Sequence, residues 1–177
     1  MPFSIEKTLR RFRTESVSEF YLHIQPLLDH GQVQALADYT QHNCYSRLSH
    51  SLDVAYYSFV VAKLFGWDRV SAARGGLLHD LYLYEGRGKG HMRGHAQIAL
   101  ENAKQICALN KVEENIIKRH MWLCTLIPPR YKEGFVVTFV DKYCAVREAL
   151  IGLKNRKWES IAGRRKVEIG ETLTATT

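Results

Sequence analysis

The 177-residue sequence lacks several features that would assign it to a common class of protein. Its four cysteines form no C-x-x-C pair, so a zinc site built from thiolates is not expected. A disulfide framework is not expected at this length and cysteine spacing either. No apolar run is long enough to cross a bilayer, and the first residues lack the basic and then apolar layout of a signal peptide. We therefore expect a cytoplasmic protein that does not enter a membrane.

The sequence also lacks the sustained alternation of apolar and polar residues that is typical of strands. Apolar residues recur at helical spacing instead, which predicts an all-α fold and one domain over residues 1–177. Within it we expect a core at about 45–150, N-terminal helices in 1–44 and a basic C-terminal segment in 151–177. The predicted helices cover residues 15–29, 32–39, 45–65, 68–79, 95–109, 112–123 and 132–151.

Several glycines mark particular places in the predicted helices and loops. Gly66 is placed to end one helix, and Asp68 is placed to cap the next. Gly75 and Gly76 lie inside that next helix, where they favour close packing against another helix. Residues 83–94 combine four glycines with basic residues, which predicts a cationic loop.

The formal net charge is +7, which favours anionic partners. Arginines and lysines cluster near residues 10–13 and 154–166, and a solvated helix surface is the ordinary explanation for such clusters. No pattern of stacking aromatic residues accompanies them, so a small phosphorylated partner is expected rather than nucleic acid. Oligomerisation stays open.

Histidines and aspartates on predicted core helices are the strongest chemical signal. His50 faces inward on its helix, where a hydrogen-bonded core histidine is the usual explanation. His79 and Asp80 end an apolar run, which a charged helix terminus would also explain. Asp141 lies between apolar residues, so it must be either ion-paired or a metal ligand. A cluster of such groups in one core suggests a metal.

In this order, His50, the adjacent pair His79-Asp80 and the distal Asp141 resemble the HD-domain superfamily of metal-dependent phosphohydrolases. The stretch Leu77-Leu78-His79-Asp80 resembles its central motif, and Asp141-Lys142 resembles its closing motif. The resemblance spans about residues 45–150. It implies an all-α bundle in which His50, His79, Asp80 and Asp141 are metal ligands from separate helices.

Some members of the superfamily carry two extra histidines and bind two metals. His95 and His120 match those positions, with His91 as an alternative to His95. His95 is preferred because a helical stretch follows it, although Ala96 and Ala99 replace the proline and glycine of the family's pattern. The alternative is one metal, with His95 and His120 binding phosphate.

In the two-metal form the resemblance implies that Asp80 bridges the ions. His50, His79 and Asp141 would hold one ion, and His95 and His120 the other. The ions, expected to be Fe, Mn, Zn, Co or Ni, would activate water for attack on phosphorus.

The expected substrate is a nucleotide or another small phosphorylated metabolite. Five cations are candidates for binding it, each with a solvent-exposed cation as the ordinary alternative: Arg47, Arg87, Lys89, Arg93 and Lys142. Of these, Arg47 is also a candidate catalytic residue because it lies almost one helical turn before His50. Two other functions stay open: a mixed-valent di-iron oxygenase on the same fold, and a nucleotide-binding regulatory module without turnover.

Overall fold

A computed structural model describes the backbone of residues 5–41, 45–85 and 89–174, and the side chains of 15–41, 45–85 and 94–154. Every regular element in these ranges is helical, which confirms the all-α prediction. Two short 3₁₀ turns, Ala35–Asp38 and Trp122–Cys124, accompany the α-helices. In chain order the helices are α1 (Ile5–Leu28), α2 (Gly31–Gln34), α3 (Arg47–Leu64), α4 (Arg69–Leu78), α5 (Lys89–Ile106), α6 (Lys111–Arg119) and α7 (Lys132–Thr174).

Three helices are longer than predicted. Helix α1 begins at Ile5, well before the predicted start at residue 15, and it contains Pro26 in its last turn. Helix α5 begins at Lys89, inside the predicted glycine-rich loop, because adding a turn to a formed helix needs no new nucleus. Helix α7 continues to Thr174, and the Glu, Lys, Arg and Ala residues of its distal half are good helix formers.

The residues between α3 and α4 confirm the predicted end of α3 and the predicted start of α4. Gly66 has a φ of 65°, the left-handed conformation that ends a helix. Asp68 caps α4, since its Oδ1 accepts a 3.0 Å hydrogen bond from the backbone N–H of Ser71.

Close packing of α4 carries the end of that helix into the middle of the bundle. A Cβ atom added to Gly75 would lie 2.8 Å from Cγ2 of Ile116 on α6. One added to Gly76 would lie 3.0 Å from Cα of Ala55 on α3. The predicted reason for these glycines is therefore confirmed. His79 and Asp80 follow directly, in the buried interior.

The apolar core has two parts. The larger joins α1, α3, α4 and α5, and the smaller joins α3, α6 and α7 around Val54, Ile116 and Val137. In the described part of the chain, no helix combines the length and apolarity that a bilayer span needs.

Candidate metal centre

The six predicted metal ligands meet at one buried place although they come from distant parts of the sequence. Helices α3, α5 and α7 carry one each, and the ends of α4 and α6 carry the others. None is more than 6% exposed. The six are His50, His79, Asp80, His95, His120 and Asp141.

Three of them form what we call the first cluster: His50, His79 and Asp141. Nε2 of His50 lies 3.0 Å from Oδ1 of Asp141, and Nε2 of His79 lies 3.8 Å from the same oxygen. One ligand atom from each residue lies within 4.8 Å of the others, which is close enough for all three to bind one ion.

The second cluster consists of Asp80, His95 and His120. The Nε2 atoms of His95 and His120 are 3.1 Å apart. Oδ1 of Asp80 lies 3.4 Å from the first of these nitrogens and 3.5 Å from the second. Two imidazole nitrogens facing one carboxylate oxygen match the donors that divalent transition metals prefer.

Asp80 touches both clusters. Its Oδ1 faces His95 and His120, while its Oδ2 lies 3.5 Å from Nε2 of His79. The two oxygens of this carboxylate therefore face nitrogens of both clusters.

The chain leaves two polar atoms at this place unsatisfied. Nε2 of His79 and Oδ1 of Asp80 are buried and have no hydrogen-bond partner among the described residues. A buried unsatisfied polar atom costs about 1–3 kcal/mol. Divalent cations would satisfy these atoms, so the residues fit a metal centre.

Carbonyl groups fix the tautomers of two histidines. Nδ1 of His79 lies 2.7 Å from the carbonyl oxygen of Gly76, and Nδ1 of His120 lies 2.8 Å from that of Ile117. A carbonyl oxygen only accepts, so each Nδ1 carries the hydrogen and each Nε2 presents a lone pair. Burial lowers the pKa of His79 to about 4, which keeps that ring neutral.

His50 lies between two carboxylates. Its Nε2 meets Asp141, and its Nδ1 lies 3.0 Å from Oε1 of Glu148, a side chain with no exposed surface. Burial alone would lower the pKa of His50, but the hydrogen bonds to Asp141 and Glu148 outweigh it and raise the pKa to about 10. Burial by itself would raise the pKa of Asp141. The hydrogen bond to His50 and the nearby His79 outweigh burial, so the pKa of Asp141 is lowered.

Glu148 was missed by the sequence interpretation. A signal for it exists, because Glu148 follows Asp141 by seven residues, which is close to two turns of α7 and so the same face.

The candidate substrate-binding cations have different placements. Arg47 is 1% exposed, and its Nε and Nη1 donate to Oε1 of Gln41 at 3.0 Å and to the carbonyl of Tyr82 at 2.6 Å. It therefore has no free surface for a substrate. Nζ of Lys142 lies 2.7 Å from Oδ2 of Asp141, and this lysine is 32% exposed beside the first cluster.

The other cations lie where no contact can be assigned. Arg87 lies outside the described residues. Lys89, His91 and Arg93 belong to the backbone of α5, but their side chains lie outside the described part.

Gln41, which the sequence interpretation also missed, contacts the centre directly. Its Nε2 donates a 2.7 Å hydrogen bond to Oδ2 of Asp80. Gln41 lies in an irregular segment 39 positions before Asp80, so no periodic pattern could have indicated the contact.

Comparison with known families decides the relationship of this chain. The model of the family described as HD domain matches residues 47–145, more than half of the sequence. The chain belongs to the HD-domain family. HD domains bind divalent metals, and most of the family hydrolyses phosphoric esters.

One curated relative of this HD domain is ribonuclease Y of Aquifex aeolicus (strain VF5). It is 31% identical over 147 residues, which cover 80% of this chain and 24% of ribonuclease Y. The chain thus spans about a quarter of that relative's length. No solved structure was found to match the chain.

Proposed function

We propose that this HD domain is a metal-dependent phosphohydrolase that cleaves a phosphate ester of a nucleotide or another small phosphorylated metabolite. One observation carries the proposal. Six buried imidazole and carboxylate side chains converge, and two of their atoms, Nε2 of His79 and Oδ1 of Asp80, have no hydrogen-bond partner among the described residues.

We assign one ion to each cluster. His50, His79 and Asp141 would hold the first ion and His95 and His120 the second, and Asp80 could contribute to both. Burial opposes ionisation of Asp80, but nearby His79, His120 and His95 hold the pKa of this carboxyl well below its usual range. Asp80 is therefore ionised and able to bridge.

When bound, such ions lower the pKa of coordinated water toward about 7 and offset charge on phosphoryl oxygens. The chain's own groups prepare the site for this chemistry. His79 and His120 each present a lone pair from a fixed tautomer, while Glu148 holds the ring of His50 in place. Lys142 is the described cation best placed to turn from Asp141 toward an anionic substrate.

The charge balance of the filled centre favours an anionic substrate. Two divalent ions bring four positive charges, and the described carboxylates around them, Asp80, Asp141 and Glu148, bring three negative ones. A phosphate ester supplies the charge that the site lacks.

A single-stranded nucleic acid is a second candidate substrate, against the sequence-based expectation. The relative's name, ribonuclease Y, favours it. So does a cavity of about 340 Å³ between α5 and α6, where Lys104, Lys111, Lys118 and Arg130 converge. A neighbouring cavity of about 600 Å³ shares Gln97 and Lys118 with it and adds the cation Arg119 to its lining. We expect the cations of this groove to bind a phosphate backbone.

Hydrolysis assays on the manganese-loaded protein test the proposal. We expect release of phosphate or nucleoside from nucleotides, cyclic dinucleotides or a generic phosphodiester, and no release by Asp80→Asn. No cleavage of any substrate by loaded protein would contradict the proposal. Oxygen uptake by an iron form would instead support the oxygenase, and tight nucleotide binding without consumption would support the regulatory module.

Short single-stranded RNA separates the two substrate classes. If nucleic acid is the substrate, Lys111→Glu and Lys118→Glu should slow RNA cleavage and weaken its salt dependence, with little effect on mononucleotides. Lys154→Glu is the control, because it makes the same charge change at an exposed residue outside the groove. Equal effects of all three substitutions would reject the groove as a path for RNA.

A further inference from the structure

We infer that Gln41 is a positioning residue that orients the carboxylate of Asp80 and thereby allows the centre to hold its second ion. The inference rests on the ligand set of the proposed function. It concerns a residue that is not itself a ligand in that set, and it explains why Arg47 is buried beside the site.

Arg47 decides which way the amide of Gln41 points. Nε of Arg47 lies 3.0 Å from one end of that amide. A guanidinium has donors only, so the end that faces it must be the oxygen. The amide nitrogen therefore faces Asp80, where it donates the 2.7 Å hydrogen bond to Oδ2.

Arg47 is itself held firmly. Its Nη1 and Nη2 donate to the carbonyl oxygens of Tyr82 and Tyr84 at 2.6 and 3.4 Å, and its guanidinium lies 3.7 Å from the ring centre of Tyr82. Its described contacts are neutral oxygens and aromatic rings. The positive charge of Arg47 polarises the amide of Gln41 and so strengthens the hydrogen bond from that amide to Asp80.

The backbone holds Gln41 at the right place for this contact. The N–H of Gln41 donates to the carbonyl of Tyr45 at 2.9 Å, and the N–H of Arg47 donates to that of Tyr39 at 2.7 Å. Thr40 and Ser46 form an isolated antiparallel β-bridge between these two hydrogen bonds. Together these contacts fix the start of α3 against residues 39–41.

The hydrogen bond from Gln41 restricts rotation of the Asp80 carboxylate. With Oδ2 held, Oδ1 stays directed at His95 and His120. A carboxylate oxygen has two lone pairs, so Oδ2 can accept from Gln41 and still bind a cation beside His79.

The two clusters depend on this restraint unequally. The first cluster keeps the carboxylate of Asp141 whatever Asp80 does. Asp80 is the carboxylate that the second cluster contains. Loss of the hydrogen bond from Gln41 should therefore weaken the second ion much more than the first.

Stepwise titration of metal-free protein with Mn²⁺ tests the inference. Gln41→Met keeps the length of the side chain and removes the donor. We expect the Kd of the first ion to stay within a few-fold of wild type and that of the second to rise about 10–100-fold, the range typical for loss of a group that supports a ligand. Electron paramagnetic resonance should show isolated Mn²⁺ in the variant where wild type shows a coupled pair. Gln25→Met, on exposed α1 surface, is the matched control and should behave as wild type.

Arg47→Lys is the second variant, because one ammonium group cannot hold Gln41 and both carbonyls at once. It should weaken the second ion in the same way. Unchanged stepwise Kd values in Gln41→Met, equal weakening of both ions, or a wild-type protein that binds one ion would each overturn the inference. The titration contains no substrate, so failure to hydrolyse phosphate esters would count against the proposed function and leave this result standing.

Discussion

The first and second clusters lie side by side in the same bundle, but the chain supports them differently. In the first cluster, the side chain of Glu148 is hydrogen-bonded to His50, and the carbonyl of Gly76 is hydrogen-bonded to His79. In the second, the carbonyl of Ile117 accepts a hydrogen bond from His120, and the carboxylate of Asp80 accepts one from Gln41, which lies in an irregular segment. Two of the three residues of the first cluster, His50 and Asp141, lie inside helices, whereas two of the three in the second, Asp80 and His120, follow helix ends.

This difference predicts the order in which the two clusters bind metal ions. The first cluster has its own carboxylate, Asp141, and shares Asp80, whereas the second shares Asp80 alone. More negative charge and firmer support should give the first ion the tighter site. A metal at the second cluster should be the weaker one and the more easily removed.

Asp80→Asn should have the largest effect because it damages both clusters. The amide keeps the shape of the carboxylate but loses the charge that both ions share. We expect hydrolysis to fall to background and both manganese Kd values to rise about 100-fold or more, at the upper end for altered ligation. Asp29→Asn, on an exposed helix end, is the control. A variant that kept either ion at wild-type affinity would remove Asp80 from its bridging role.

His120→Ala should affect the second cluster and spare the first. It removes a ligand from the second cluster and leaves the first intact, so metal content should fall from about two ions per chain to one, in line with a dinuclear site. His23→Ala, outside the centre, should keep both ions. If His120→Ala instead lost the first ion, or lost none, the division into two clusters would be wrong.

Glu148→Gln should weaken the first cluster by a smaller amount. The amide can still contact Nδ1 of His50, but it no longer makes that ring more basic. We expect the first-ion Kd to rise about 10-fold, the low end for a group that supports a ligand. Glu101→Gln, at an exposed position on α5, is the control. A larger effect on the second ion than on the first would contradict the comparison.

The pH dependence of the metal-free chain should be the smallest effect. The folded pKa of His50 is raised from 6.5 to about 10, so its stabilising contribution is complete below pH 6.5 and is lost as pH rises toward 10. The folded pKa of His79 is lowered to about 4, so its contribution is present above pH 6.5 and is lost as pH falls toward 4. The Tm of chelated protein should therefore be highest near neutral pH.

His50→Gln tests the alkaline side of that profile. Its Tm should change less than that of wild type between pH 7 and 10, since the group that loses its proton is gone. An unchanged alkaline slope would show that His50 is neutral in the metal-free fold.

Much of the centre was predictable because its residues lie in periodic segments. His50 and Asp141 fall on apolar helix faces, and His79-Asp80 ends an apolar run, so burial could be read from spacing. Glycines 75 and 76 indicated the packing that brings α4 inside. His50, His79, Asp80 and Asp141 stood out from their surroundings, the resemblance to the HD-domain superfamily added His95 and His120, and the structure brings all six together. Their roles as ligands stay predictions.

The supporting residues could not be found in the same way. The contact of Gln41 with Asp80 joins residues 39 positions apart and depends on how an irregular segment folds. Arg47 was expected to bind substrate because it lies one turn before His50, but spacing does not show that its guanidinium is used up by Gln41 and two carbonyls. Contacts of this kind follow from tertiary structure rather than from local pattern.

Elemental analysis of purified protein, reloaded with Mn²⁺ and freed of excess metal, tests the central claim most directly. We expect about two ions per chain, one at each cluster around Asp80. A reloaded wild-type protein that retains no metal, or one ion only, would contradict it.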